Sequence, residues 1–483
     1  MNRTHDAVVV GSGPNGFAAA ITLASHGLST LLLEAEATLG GGARSAELTL
    51  PGFLHDVCSA VHPLAVASPF FRSLPLDRHG LEWIYPPLPV AHPLHNGESA
   101  AMRPSVEITS KDMGADAQAY ARLFSRLVQN WDKLLDDVLQ PMLHLPRHPV
   151  LLARFGLRAI LPAKRLAESL FKEEKAKALF AGLAMHSVQP LEAPASAAIA
   201  LVLGLIGHAL GWPIPKGGAQ RITNALESFY RSLGGDVATG TRIGNLRELP
   251  SARIIMLDVT PKQFLRLAED RLPGRYATRL ERFRYGPGIF KIDYALNSPI
   301  PWGAPDCRNA ATVHVGGPEE QIAQSARDVY QGRHPDRPFV LLAQPTLFDP
   351  SRAPDGKHIA WAYCHVPNRS TYDMTGRMEN QIERFAPGFR DCIIAKQISM
   401  TPDLEQHNAN LVGGSIDGGS QSLAQMLARP VFSASPYRTP VRGVYLCSSS
   451  TPPGGGVHGM CGYNAAMLAL KDFNISEPQE RLE

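Results

Sequence analysis

Three glycines near the start of the chain have the spacing of a phosphate-binding turn. Gly11, Gly13 and Gly16 form the pattern G-x-G-x-x-G. The first glycine allows a tight turn, the second lets a pyrophosphate approach the backbone, and the third lets the next helix pack close to its strand. The free N–H groups and the positive dipole end of that helix would face the phosphates. We expect the intervening Pro14 and Asn15 to share in this contact.

The residues around the turn complete a βαβ unit. The apolar, β-branched run Ala7–Val10 predicts a buried strand, 17–27 has helical composition, and Thr30–Leu33 predicts a second strand. That strand ends at Glu34, where a carboxylate can accept hydrogen bonds from a ribose 2′-hydroxyl. Glu34 would repel a 2′-phosphate, which argues against NADP, and we expect the adjacent Ala35 to contact the same nucleoside.

A second glycine-rich loop follows the second strand. It contains Gly41, Gly42, Ala43 and Arg44. The small residues let the backbone approach a flat ring, and the arginine could face phosphate. Directly after Glu34, this composition favours a loop that is pressed against the same ligand.

A third glycine loop lies near the end of the chain. A short apolar strand is followed by Gly455, Gly456 and Val457, and then by a predicted helix over 462–472. A glycine loop that leads into a helix N-terminus is again a site where backbone N–H groups can meet a ligand. His458 in this loop either donates to the ligand or is a buried histidine that the loop itself satisfies.

Two predicted strands carry side chains that could act on a substrate. Residues 289–296 alternate like a strand, and the pattern allows Lys291 to point to solvent, because the opposite face of the strand is the more apolar. In 358–366, Trp361 and Tyr363 fall on one face, where they could form an aromatic wall.

Composition excludes several classes of function. The 483 residues include 47 basic and 44 acidic side chains, so the net charge of +3 does not suggest nucleic acid as the main partner. The six cysteines form no C-x-x-C and no cluster has metal-ligand spacing, so we predict neither a dithiol centre nor a metal site. No signal peptide is recognisable, and we expect a cytoplasmic protein.

One apolar stretch raises the question of membrane contact. Residues 193–215 contain no Asp, Glu, Lys or Arg, and their length approaches that of a spanning helix. Prolines bracket the stretch, which favours a helix buried in a large domain. The wall of a substrate tunnel and a shallow surface for peripheral membrane contact are the alternatives.

The order of the elements predicts an α/β fold with a discontinuous Rossmann-type domain and an interleaved α+β substrate domain. The nucleotide-binding domain is assigned to 1–75, 215–288 and 430–475. The substrate domain is assigned to 76–214, which is helical, and 289–429, which is richer in strands. Residues 476–483 are a predicted tail, and 236–239 and 242–246 are predicted to pair as two strands.

Taken together, the three glycine motifs resemble those of flavin oxidoreductases of the phytoene dehydrogenase-like group, which belongs with the amine oxidase-like flavoproteins. This group includes proteins with a pyridine nucleotide-disulphide oxidoreductase domain. The segments 211–218 and 300–302 are similar to segments of the group, so the likeness covers nearly the whole chain. The resemblance implies FAD as the cofactor.

The resemblance also implies roles for single residues. Ile243 would contact the adenine region through its backbone, and 455–457 would lie against the flavin. Ser448 or Ser449 stands where related proteins often place an acid toward the ribityl chain, so that contact departs from the family pattern. Lys291 lies in a segment similar to the amine oxidase strand whose lysine holds a water near flavin N5, so the resemblance implies the alternative that Lys291 projects beneath the ring.

The implied activity is oxidation (desaturation) or isomerisation of a lipophilic, isoprenoid or polyene-like substrate through hydride transfer to the flavin. No second nucleotide fingerprint occurs, so the electron acceptor is expected to be O₂ or a quinone. A flavin amine oxidase that uses O₂ is the first alternative. A low-turnover flavin-binding or scaffold protein is the second.

Overall fold

The computed structural model describes residues 5–141 and 143–476. The strands in this part of the chain are β1 Ala7–Val10, β2 Thr30–Leu33, β3 Ser45–Glu47, β4 Leu54–Asp56, β5 Trp83–Ile84, β6 Leu88–Pro93, β7 Ser99–Met102, β8 Ile214–Pro215, β9 Asp236–Ala238, β10 Ile254–Leu257, β11 Gly288–Leu296, β12 Ala310–Val315, β13 Val340–Ala343, β14 His358–Val366, β15 Ile393–Ser399 and β16 Val444–Leu446.

The α-helices in the same residues are α1 Pro14–Ser25, α2 Pro63–Ala67, α3 Pro69–Arg72, α4 Val106–Lys111, α5 Ala117–Val128, α6 Trp131–Val138, α7 Pro149–Ala159, α8 Ala163–Leu170, α9 Glu174–Ala184, α10 Ala197–Ala209, α11 Gln220–Ser232, α12 Pro261–Ala268, α13 Gly274–Glu281, α14 Glu319–Tyr330, α15 Thr375–Glu383, α16 Thr401–His407, α17 Leu423–Leu427 and α18 Met460–Asp472.

A five-stranded parallel sheet carries the first glycine turn. Its strand order is β16-β10-β1-β2-β9, and β1 pairs in parallel with both β2 and β10. Helix α1 packs against α18, where Gly462 lies so close to α1 that a Cβ there would overlap the backbone oxygen of Asn15. The absence of a side chain at Gly462, where the predicted helix begins, therefore allows this contact.

A seven-stranded mixed sheet forms the second layer of the fold. Its order is β15-β11-β14-β13-β12-β6-β7, and β11 pairs antiparallel with β14 along its whole length. One face of β11 presents Phe290, Ile292 and Tyr294 to a separate apolar core. The other face of β11 carries Lys291, which is paired in register with Tyr363 of β14.

The predicted strand pair at 236–246 is wrong. Residues 236–238 form β9, but they pair in parallel with β2, and 242–246 form no strand. The reason is that the following loop crosses the end of β2 instead, where the N–H of Thr241 donates to the carbonyl of Glu34. This path places Arg242 and Ile243 beside the end of the βαβ unit.

The apolar stretch at 193–215 does not form an outer surface. It contains α10, most of whose side chains are buried against other helices. Within the described residues, no helix is long and apolar enough to cross a membrane. The interpretation as a buried helix is therefore confirmed, and the stretch itself offers no membrane-contacting face.

Candidate active site

A cavity of about 950 Å³ runs between the glycine turn and the seven-stranded sheet. The predicted cofactor residues that line it are Gly11, Gly13, Pro14, Asn15, Glu34, Ala35, Gly41, Gly42, Arg44, Ile243, Ser449, Gly455, Gly456 and Val457. The structure therefore brings the three glycine loops together around one cavity, although the third begins at residue 455 and the second ends at residue 44.

The first glycine turn has no room for side chains. Gly11 has a φ of +99°, and a Cβ on Gly16 would overlap the carbonyl oxygen of Gly11. A Cβ on Gly13 would lie 2.7 Å from the Oδ2 atom of Asp258. The bare backbone at the start of α1 is the cradle that a pyrophosphate requires.

Asp258 is a member of this site that the sequence reasoning missed. It follows β10, and its carboxylate accepts a hydrogen bond of 3.0 Å from the N–H of Gly16. Burial raises the pKa of Asp258 to about 7. The available sequence signal was its place directly after the apolar run 254–257. The carboxyl ends of the parallel strands β1 and β10 meet at one sheet edge, which brings Asp258 to the glycine turn.

Glu34 holds the turn in place and faces the cavity. Its Oε2 accepts hydrogen bonds from the N–H of Ser12 at 2.9 Å and from the Ser12 hydroxyl at 2.5 Å. Ser12 was not predicted as a site residue. Beside it, Arg242 forms an ion pair of 2.9 Å with Glu36, and both residues line the cavity with Ile243. This end has the polar groups that an adenosine needs.

Arg44 brings positive charge to the middle of the cavity. Its Nη2 lies 2.7 Å from Nε2 of His407, and its Nε donates to the carbonyl of Gly41 at 2.9 Å. Burial lowers the pKa of Arg44, while the carboxylate of Glu34 opposes that shift. Ala43 is buried and its carbonyl accepts a hydrogen bond from Thr223, so its predicted contact with the cofactor stays a prediction.

The third glycine loop closes the cavity, and one of the two alternative serines lines it. Ser449 lines the cavity, but Ser448 lies outside it, because its hydroxyl donates to the carbonyl of Val259 at 2.8 Å. Gly455 lies against the backbone of Asp417, where a Cβ would be 3.1 Å from the carbonyl oxygen. The loop therefore needs its small residues for packing as well as for access.

Of the two alternatives predicted for His458, the structure shows the buried histidine whose ring nitrogens are hydrogen-bonded within its own loop. Its Nδ1 accepts from the N–H of Met460 at 3.0 Å, and its Nε2 lies 3.2 Å from the carbonyl of Gly454. Burial lowers the pKa of His458 to about 4, so the ring is neutral at pH 7. It lines the cavity, but both nitrogens are engaged, and a role as proton donor is not supported.

Lys291 is buried, so the alternative in which it points to solvent is wrong. Its ammonium forms an ion pair with Asp293 and lies 5.7 Å from the ring centroid of Trp361. Burial raises the pKa of Asp293 to about 6 although Lys291 opposes the shift. Lys291 is not among the residues that line the cavity, so the predicted position directly beneath a ring is not what this arrangement shows.

Trp361 and Tyr363 form part of the floor of the cavity, as predicted for an aromatic wall. Their ring centroids are 5.1 Å apart and their planes are inclined at 82°. The rings therefore meet edge to face, and they do not form two parallel plates. Leu341 of β13 and Thr312 of β12 extend the same floor.

Asp417 and Cys58 are two further reactive groups on the cavity wall that sequence reasoning missed. Burial raises the pKa of both, and for Asp417 the value is about 7 although Arg429 opposes the shift. Among the described residues, no donor lies within hydrogen-bond distance of the Asp417 carboxylate. Burial raises the pKa of Tyr363 and the Asp417 carboxylate adds to that shift, so this carboxylate lies near the floor. The only sequence signal for Asp417 was that it is the one acid in the glycine-rich segment 413–419.

The far part of the cavity is apolar, and we call it the apolar arm. It is bounded by α7 and α10, and its lining side chains are Leu152, Phe155, Ala159, Ala198, Ile199, Val202 and Leu203. His186 and Trp212 also line this part of the cavity, with ring centroids 5.7 Å apart. Burial lowers the pKa of His186 to about 3, so this histidine is neutral.

The residues present fit FAD. The glycine cradle and the groups around Glu34 suit a pyrophosphate and an adenosine, and the cavity continues past Arg44 between Gly42 and the loop at 455–457. Within the described residues, no group of His, Cys, Asp and Glu is arranged to hold a metal ion. The contact made by each cofactor residue stays a prediction.

Comparison with known proteins agrees with this site. Residues 9–74 match the model of an NAD(P)-binding Rossmann-like domain. The chain is 28% identical to the mouse (Mus musculus) pyridine nucleotide-disulfide oxidoreductase domain-containing protein 2, over 98% of this chain and 94% of that protein. It is 27% identical to the zeta-carotene-forming phytoene desaturase of Myxococcus xanthus, over 93% and 90% of the two chains.

A solved structure shows the same fold. Cyclohexylamine oxidase from Brevibacterium oxydans superposes with a TM-score of 0.59 at 15% identity, over 98% of this chain and all of that chain. These similarities confirm the predicted family resemblance and the α/β fold. They also confirm the predictions of an oxidoreductase and of FAD as its cofactor.

Proposed function

We propose that this flavin oxidoreductase desaturates or isomerises a lipophilic substrate of the isoprenoid or polyene class. The observation that carries the proposal is the apolar arm, which continues directly from the part of the cavity that fits FAD. Its α7 and α10 walls contribute no Asp, Glu, Lys or Arg side chain to the lining. The phytoene desaturase named above supports the same class of substrate.

The protein must hold the substrate, exclude water and accept a proton. When bound, FAD supplies an acceptor for a hydride or for two electrons. Desaturation removes a hydride from one carbon and a proton from its neighbour, so the chain needs a base on the cavity wall. Asp417 is the candidate, because its carboxylate lies near the aromatic floor and has no donor among the described residues. Helix α7 covers the arm and would limit the entry of water.

Oxidation of an amine with O₂ is the second candidate. The carboxylate of Asp417 near Tyr363 favours it, because an acid beside an aromatic ring attracts an ammonium group. The edge-to-face arrangement of Trp361 and Tyr363 offers no pair of parallel rings, and the apolar arm gives a small amine no partner. We therefore place it second.

The first experiment is the visible absorption spectrum of the purified protein, before and after heat release of any chromophore. We expect the two flavin bands and FAD in the supernatant. Polyenes, cyclic isoprenoids and amines are then added anaerobically, and reduction is followed as bleaching, with isomerised product analysed by chromatography. Bleaching or isomerisation by lipophilic compounds alone supports the proposal, and bleaching by amines alone supports the second candidate.

A flavin-loaded protein that turns over neither class would contradict both candidates. It would favour a low-turnover flavin-binding or scaffold protein. Reoxidation of the bleached protein with O₂ or with a soluble quinone then identifies the electron acceptor.

A further inference from the structure

The outer side of the apolar arm carries an unusual concentration of exposed apolar side chains. Five of them fall within 143–160, and we call them the α7 surface: Leu143, Leu145, Val150, Leu157 and Ile160. Leu145 is 94% exposed and Leu157 is 73% exposed. Single exposed leucines are common on soluble proteins, but a group of this density on one short segment needs a partner.

Helix α7 is apolar on two opposite sides. Its inner side places Phe155 and Ala159 on the cavity, while its outer side exposes Val150 and Leu157. A helix that only covers a core would carry polar groups on its outer side. The outer apolar residues are therefore not explained by packing within this chain.

Basic side chains predominate around the α7 surface, although Arg147 forms an ion pair of 3.8 Å with Asp136. From residue 138 to residue 167 the sequence contains five Lys or Arg and no Asp or Glu. Arg154 and Arg158 are exposed on α7, and no acid among the described residues pairs with either of them. Apolar residues flanked by unpaired arginines match the surface of an anionic bilayer, where the arginines meet headgroups and the apolar groups enter the acyl boundary.

A second segment extends the same surface. Leu143 lines a small cleft together with Leu427 and Val431, so the α7 surface adjoins the segment at 426–432. Leu427 and Phe432 of that segment are also exposed. Met426 and Arg429 line both this cleft and the main cavity, so the apolar surface borders the cavity wall.

We propose that the α7 surface docks on the face of an anionic lipid bilayer and that the lipophilic substrate reaches the apolar arm from the lipid. The docking is peripheral: the apolar side chains enter the headgroup boundary, and Arg154 and Arg158 contact lipid phosphates. The route of the substrate rests on the proposed function, whereas the docking itself does not. This surface differs from the stretch at 193–215, which is buried.

The test uses the FAD-loaded full chain and flotation with vesicles of phosphatidylcholine, with and without phosphatidylglycerol. We expect binding that increases with the anionic lipid. The double variant V150E/L157E should lose at least about tenfold in binding. R154Q/R158Q should lose roughly fivefold per arginine on anionic vesicles only. The matched control is I394E, which alters an exposed isoleucine on edge strand β15.

Several outcomes would overturn the docking proposal. Equal flotation of the native chain, V150E/L157E and I394E would do so, as would failure of the native chain to float. A concentration-dependent dimer that V150E/L157E disrupts, without vesicle binding, would assign the surface to a second copy of the chain.

Docking and the proposed function are separated by two readouts. With detergent-dispersed substrate, V150E/L157E should keep native FAD content and native turnover, because neither residue lines the cavity. With substrate dissolved in vesicles, its turnover should fall in proportion to lost binding. A chain that floats but turns over no lipophilic compound would retain the docking and reject the proposed function.

Discussion

At the scale of single residues, Asp258 makes FAD binding depend on pH. Its carboxylate accepts a hydrogen bond from the N–H of Gly16, at the helix end that would face the pyrophosphate. Burial raises the pKa of this carboxylate to about 7. Above that pH, ionised Asp258 places a negative charge beside the anionic pyrophosphate of FAD. FAD affinity should therefore be highest below pH 7 and fall by up to about tenfold per pH unit above it.

The measurement is the dissociation constant of FAD from the apoprotein between pH 6 and 9, by quenching of flavin fluorescence. D258N keeps an oxygen that can accept from Gly16 but has no proton to lose, so its affinity should vary little over this range. Identical pH profiles for the native chain and D258N would show that another group sets the dependence.

Asp417 gives a second residue-scale prediction, with the opposite direction in pH. A base must be ionised, so flavin reduction by the substrate should speed up as pH rises through about 7 and then level off. D417N should slow this step by about 100-fold or more and abolish the rise of the rate with pH. Anaerobic stopped-flow absorbance measures the step.

FAD content and substrate affinity of D417N serve as the controls for that prediction. Both should stay close to native, because an amide has the size of the carboxylate. D417E should recover part of the rate. If D417N is slow but its rate still rises with pH as in the native enzyme, another group causes that rise, and Asp417 is rejected as the base.

At the scale of elements, the packing of α18 on α1 limits what the last helix tolerates. A Cβ at Gly462 would overlap the backbone of Asn15, so G462A should push the helices apart and lower the free energy of unfolding by about 1–3 kcal/mol. In G376A, on α15, the new Cβ would meet nothing within 4 Å. That control should be neutral or slightly stabilising. Denaturant unfolding monitored by circular dichroism compares the two.

The apolar arm gives the other element-scale prediction. Ala198 of α10 lines the arm, so A198F should fill part of it and raise KM for long polyenes by about tenfold or more. FAD content should not change, since Ala198 lines the apolar arm and not the part of the cavity formed by the glycine loops. A153F, on the exposed side of α7, is the matched control. Equal KM values for both variants would show that the substrate does not enter the arm.

At the scale of the whole molecule, local patterns predicted the parts of the fold that depend on neighbours in sequence. The turn from Gly11 to Gly16 and strands β11 and β14 were predicted because alternation and glycine spacing are local. The contact between Gly16 and Asp258 spans 242 residues, and no local pattern reports it. The same holds for Asp417, which reaches the cavity only because its loop packs on Gly455. Contacts between distant residues also determine the path of 242–246. This segment crosses the end of β2 and does not form the predicted hairpin with 236–239.

The arrangement of the three glycine loops around one cavity leads to a prediction for the molecule as a whole. FAD is long enough to reach from Glu34 to the loop at 455–457, whereas ADP should occupy only the end near Glu34. Both should slow amide hydrogen exchange at 11–16 and 241–243, and FAD alone should also slow it at 417–421 and 455–457. Exchange is measured by mass spectrometry at saturating ligand, so that differences in affinity do not enter. Identical protection by the two ligands would mean that the flavin ring does not lie between the third glycine loop and the aromatic floor, and the assignment of the apolar arm as the substrate site would lose its basis.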